Sequence, residues 1–96
     1  MPKFLIQREL PGAGGLSPDE LRALSRRSNE VLERLGSQIQ WVETYVTGDR
    51  LTCVYIAPDA ALVRRHATEA GFPADRVDEI ATIMDPTTAE EPVMAR

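Results

Sequence analysis

Two kinds of hydrophobic period alternate along this chain, and the order in which they alternate restricts its fold more than any other feature. Residues Lys3 to Arg8 hold the compact apolar run Phe4, Leu5 and Ile6 and read as a short strand. Pro11, Gly12, Gly14 and Gly15 then break the backbone. Ser17-Pro18-Asp19-Glu20 is a helix start. Ser17 can cap, Pro18 suits the first helical position, and Glu20 stands where a capping box needs a carboxylate. Leu21, Leu24, Val31, Leu32 and Leu35 follow at helical spacing, with Ser28 filling the gap in the stripe and Gly36 as the stop.

The second half repeats that order. Ile39 to Thr47 and Leu51 to Ala57 are rich in β-branched and aromatic residues, and Gly48-Asp49 between them marks a hairpin. Pro58-Asp59 opens a helix that runs to Ala70, stops at Gly71 and cannot continue past Pro73. Val77 to Met84 reads as a last strand. A strand–helix–strand unit thus occurs twice without any residue-level repeat. Right-handed crossovers in both units place both helices on one face of a four-stranded antiparallel sheet in the order 4-1-3-2. The expected fold is α+β, a ferredoxin-like βαββαβ sandwich over residues 1–86, followed by a C-terminal tail over 87–96.

Ninety-six residues suffice for one domain. Such a chain buries roughly 60–70% of its unfolded surface, so pairing with a second copy would help it. Net charge is −4 and the basic pairs, Arg26-Arg27 and Arg64-Arg65, have acidic residues nearby. With no concentrated basic face, neither nucleic acid nor an anionic membrane is an expected partner. A single cysteine, Cys53, allows no internal disulfide. No segment reads as a signal peptide or approaches the ~20 apolar residues of a spanning helix, so the expected location is cytoplasmic.

Strand parity carries the functional expectation. Val42, Thr44 and Val46 share one face of the hairpin, as do Val54 and Ile56, and this β-branched set suits the face beneath the helices. Trp41, Glu43, Tyr45, Leu51, Cys53 and Tyr55 then fall on the open face. Aromatic side chains bury roughly 150–250 Å² each, so that face should be covered by a second subunit, by a ligand, or by the chain's own tail. A homodimer through the open sheet face is the first expectation. Glu43 would then be buried, with Arg8, Gln7 or Tyr55 to satisfy it.

The candidate ligand-binding residues are Glu43, Tyr45, Cys53, Tyr55 and His66. His66, the sole histidine, lies on the apolar stripe Leu62, Val63, Ala67, Ala70 of the second helix; such a residue is either a satisfied core histidine, a metal ligand or a proton-transfer group. Cys53 is either a small buried hydrophobe or a thiol activated by a nearby charge. No catalytic residue can be assigned. There is no Cys-x-x-Cys, His-x-x-x-His or Asp-x-Asp spacing, no nucleophile elbow and no phosphate loop.

The strings Tyr45-Val46-Thr47-Gly48-Asp49, Cys53-Val54-Tyr55-Ile56-Ala57-Pro58 and His66-Ala67-Thr68-Glu69-Ala70-Gly71-Phe72-Pro73-Ala74 resemble a bacterial family of short proteins, over roughly residues 3 to 88. Most of its members are labelled a domain of unknown function, and the family is also called nickel-binding. The resemblance implies a ferredoxin-like fold, a dimer and, in some members, nickel or another divalent metal held by histidines and carboxylates. His66 matches the family's helix histidine. Where the nickel-binding relatives have further histidines, this chain has Gln7, Arg8 and Phe72, which removes nitrogen ligands that nickel prefers. The functional expectation is a small dimeric binding protein for a divalent metal or a small ligand. Two alternatives stand beside it: a cofactor-free enzyme of the dimeric α+β barrel type acting on a small hydrophobic substrate, and a structural or regulatory interaction module.

Overall fold

Strand β1 (Lys3–Glu9) runs up the middle of a sheet ordered β2-β3-β1-β4, with β2 spanning Gln40–Val46, β3 Arg50–Ile56 and β4 Arg76–Glu79. The structure, a computed structural model, describes residues 1–90. All three strand pairings are antiparallel, and the order is the expected 4-1-3-2. Helix α1 (Pro18–Leu35) connects β1 to β2, and helix α2 (Ala60–Ala70) connects β3 to β4.

The helix boundaries follow from local chemistry. Ser17 accepts from the Glu20 amide while the Glu20 carboxylate accepts from the Ser17 amide, so the capping box of α1 is complete. Asp59 caps α2 through the Leu62 amide. Gly71 ends α2 at φ +75°, in the left-handed region that glycine enters without strain.

Register decides which side chains meet. Phe4 pairs with Tyr55 and Ile6 with Cys53 across β1 and β3, and Trp41 and Thr44 of β2 stand opposite Tyr55 and Cys53. Phe4, Ile6, Cys53 and Tyr55 are buried together with Ile39, Ala57 and Val63. This corrects the parity drawn from the sequence. Leu51, Cys53 and Tyr55 point beneath the helices, and Val54 and Ile56 point to the open face. In β2 a bulge between Trp41 and Glu43 breaks the alternation. Trp41 therefore joins Thr44 and Val46 on the helix side, while Glu43 and Tyr45 stay on the open side.

β4 is shorter than the expected Val77–Met84. It pairs with β1 from Gln7–Arg76 to Phe4–Glu79, and the Ile80 amide donates to the Lys3 carbonyl. Ala81 to Met84 lie outside the sheet. The expected tail begins in a short 3-10 turn, Pro86–Ala89, capped by Asp85; its residues 91–96 lie outside the described residues.

Candidate functional site

The C-terminal half of α1 packs on the core through Val31, Leu32 and Leu35. Its N-terminal half leaves a cavity of ≈ 290 Å³ against the sheet. Leu21, Leu24, Ser25 and Ser28 form the helical wall. Trp41, Thr44, Leu51, Cys53 and Tyr55 form the sheet wall, and Phe72 and Pro73 close the end beyond α2. Much of the lining is apolar, and among the described residues it contains two cations, Arg8 and Arg27, and no carboxylate.

Arg8 follows Phe4 and Ile6 on the buried side of β1, and it is 2% exposed. Its guanidinium donates to the Pro73 carbonyl and, at 3.4 Å, to the Tyr55 hydroxyl. It also stands over the Phe72 ring, 5.5 Å from the centroid. Every one of these partners is neutral. Arg27 covers the same ring from α1 at 4.7 Å and is exposed at the cleft mouth.

Hydrogen bonds order the opposite end of the cleft. The Trp41 indole donates to the Thr44 hydroxyl (2.9 Å), which donates to the Cys53 sulfur (3.1 Å). Tyr55 is held above its ordinary pKa by burial, which outweighs the nearby Arg8 charge, so its hydroxyl stays protonated at neutral pH.

Of the five residues expected to bind a ligand, Cys53 and Tyr55 stand on this cleft wall. His66 is fully buried behind Tyr55, with ring centroids 5.3 Å apart, and does not line the cavity. Glu43 and Tyr45 are on the opposite face of the sheet, where the Tyr45 hydroxyl donates to the Glu43 carboxylate. Both are exposed, and Glu43 takes no bond from Arg8, Gln7 or Tyr55. The Glu43 carboxylate also raises the Tyr45 pKa, chiefly through that hydrogen bond.

The sequence reading missed Arg8, Arg27, Leu24 and Phe72 as site residues. Arg8 did leave a signal: it stands in register with Phe4 and Ile6, so an arginine occupies the third position of a buried face. The others become neighbours only through the packing of α1 and the turn after Gly71.

His66 Nε2 lies 3.3 Å from the Ser28 carbonyl oxygen and 3.2 Å from the Ser28 hydroxyl. A carbonyl only accepts, so Nε2 carries the proton, and Nδ1 is left buried without a partner among the described residues. Burial is the main reason the ring's pKa falls below its ordinary value. The unfolded chain then binds this proton before the native one does. Stability is complete above about pH 6.5 and declines as the pH falls through the native pKa, with a slope of at most about 1.4 kcal/mol per pH unit for one proton. Urea melts across pH 5–7 should show this loss in the wild type and not in His66→Phe; equal slopes would exclude a buried neutral His66.

The donor set does not suit nickel. Among the described residues no group of three His, Cys, Asp or Glu side chains converges. The imidazole has aromatic rings, Tyr55 and Phe72, as neighbours, and Glu69, the nearest acid on α2, is bonded to Arg65. No helix among the described residues is long and apolar enough to cross a membrane.

Comparison with known proteins places these features in context. Residues 4–80 match the family described as nickel responsive protein SCO4226-like. The crystal structure of SCO4226 from Streptomyces coelicolor A3(2) superposes with a TM-score of 0.72 at 19% identity, covering 85% of this chain and 99% of that one, which shows a shared fold. No curated protein matches the sequence.

Proposed function

The chain belongs to the nickel responsive protein SCO4226-like family, and from that premise we propose that it is a small binding protein whose site is the cleft between α1 and the sheet, and whose ligand is a small organic molecule instead of nickel. The observation that carries this reading is the ≈ 290 Å³ cavity walled by Leu21, Leu24, Trp41, Leu51 and Phe72. It is near the lower end of small-molecule sites, about 300–1,000 Å³, and has their chemistry of apolar walls with a few polar groups. Among the described residues no nucleophile–base pair faces it, so binding is better supported than catalysis.

A neutral fluorescent probe, N-phenyl-1-naphthylamine, should bind saturably at one per chain. Leu24→Trp, which fills the cavity, should abolish that binding while the far-UV circular dichroism stays unchanged. Unaltered binding in Leu24→Trp would place the probe elsewhere. Calorimetric titration with Ni²⁺ should give no saturable heat at micromolar metal, and a stoichiometric isotherm that disappears in His66→Ala would reverse the choice of ligand.

We also propose that a second copy of the chain covers the open face. Leu5, Val54 and Ile56 are half-buried there, and Tyr45 is 54% exposed. A domain this small gains from burying them. Light scattering should give twice the chain mass for the wild type and the chain mass for Val54→Lys; a monomeric wild type would remove the pairing without touching the cleft.

A further inference from the structure

We propose that the ligand of the cleft is an organic monocarboxylate with an apolar body, its carboxylate taken by Arg8 and its body lying along Leu21, Leu24 and Trp41. This rests on the cleft being the binding site and specifies what the cleft accepts.

The charges around the cleft are unbalanced. The ion pairs among the described residues, such as Arg22–Asp19, Arg50–Glu9, Arg65–Glu69 and Arg76–Asp78, are at the surface. Arg8 is buried and has no carboxylate within 4.0 Å among the described residues. Taking such a charge out of water costs several kcal/mol, of the order usually offset by an opposite charge. Pro73 and Tyr55 each accept one bond from a guanidinium that has five N–H donors. The remaining donors are beside a cavity whose lining holds no acid among the described residues. Among the described residues no side chain supplies the counter-charge, and a ligand carboxylate would.

The same lining defines the rest of the molecule. A divalent cation would meet two positive groups, Arg8 and Arg27, and no anion. A planar guanidinium fork matches a carboxylate in two parallel hydrogen bonds. Away from Arg8 the larger side chains of the lining are leucines, Val46 and the Trp41 ring, whose indole N–H is already bonded to Thr44, while Ser25, Ser28 and Cys53 add small polar groups. These walls suit hydrocarbon, and the volume suits a medium-length acid in preference to a long-chain one. Arg27, over Phe72 at the mouth, adds positive potential where the acid would enter.

The test is calorimetric titration of the full chain with octanoate and with octanamide, which share an apolar body and differ in charge. Octanoate should bind at least tenfold tighter than octanamide to the wild type. Arg8→Met should remove that preference while leaving octanamide binding within about threefold. Lowering the pH through the acid's own pKa should remove it too, with the wild-type chain alone, so the test stands even if Arg8→Met fails to fold. Equal affinities in the wild type would overturn the charge assignment and leave the cleft as an apolar site. Absence of binding by either compound at millimolar concentration would overturn the cleft reading together with it. A preference that survives in folded Arg8→Met would place the anion elsewhere.

Discussion

Tyr55→Ala should cost about 3–5 kcal/mol of folding stability, the range for deleting a buried aromatic ring. Tyr55 is 2% exposed, lies against His66 and faces Phe4 across the β1–β3 ladder. Total stability for a domain of this kind is about 5–15 kcal/mol, so the loss is a large part of it. Tyr55→Phe keeps the ring and removes a hydroxyl whose bond to Arg8 is long, 3.4 Å. It should cost no more than about 0.5–1.5 kcal/mol. Chemical denaturation of the two variants separates ring from hydroxyl. A small effect in Tyr55→Ala would mean that the ring lies on the open face, as strand parity alone first suggested.

Arg8→Met should behave in the opposite way and leave the ligand-free domain at least as stable as the wild type. The substitution keeps an unbranched side chain and removes a buried charge whose desolvation costs several kcal/mol. Against that gain, the Pro73 carbonyl and the Tyr55 hydroxyl lose a donor, at about 1–3 kcal/mol for each group left fully unsatisfied. Pro73 is exposed and can turn to water, so its penalty is small. A rise of about 1 kcal/mol corresponds to roughly 4–8 °C in Tm for a domain of this size. Stability gained together with loss of carboxylate binding is the pattern of a residue retained for function. A fall of 10 °C or more would make Arg8 a structural tie between β1 and the loop after α2.

The element order was legible in the residues because each boundary has its own local chemistry. Ser17 to Glu20 builds the cap, Gly36 and Gly71 end the helices, and Gly48-Asp49 turns the hairpin. The facing of β3 was not legible from β3 itself. Leu51, Cys53 and Tyr55 on one side and Thr52, Val54 and Ile56 on the other are both apolar enough for a core. The deciding pattern was in β1, where Phe4 and Ile6 alternate with Lys3, Leu5 and Gln7, and β1 fixes β3 through their shared register. The bulge at Trp41 and Glu43 then moved a single aromatic across the sheet, which period-two counting cannot foresee. The cleft depends on packing of α1 over residues distant in sequence, so strand parity and the resemblance single out only Cys53 and Tyr55 among its members as ligand-binding residues. Strand parity offers Arg8 as a partner for Glu43, and the family resemblance marks it as a replacement for a histidine; neither points to a ligand-binding arginine.

Methyl NMR of the wild-type chain during an octanoate titration reads out the binding site residue by residue, because Leu21 and Leu24 on the helical wall and Leu51 on the sheet wall carry methyl groups. The methyls of Leu21, Leu24 and Leu51 should shift together with one saturation curve, while those of Leu5, Val54 and Ile56 on the far side of the sheet stay in place. Saturable shifts confined to Leu5, Val54 and Ile56, with Leu24 and Leu51 unmoved, would contradict binding in the cleft.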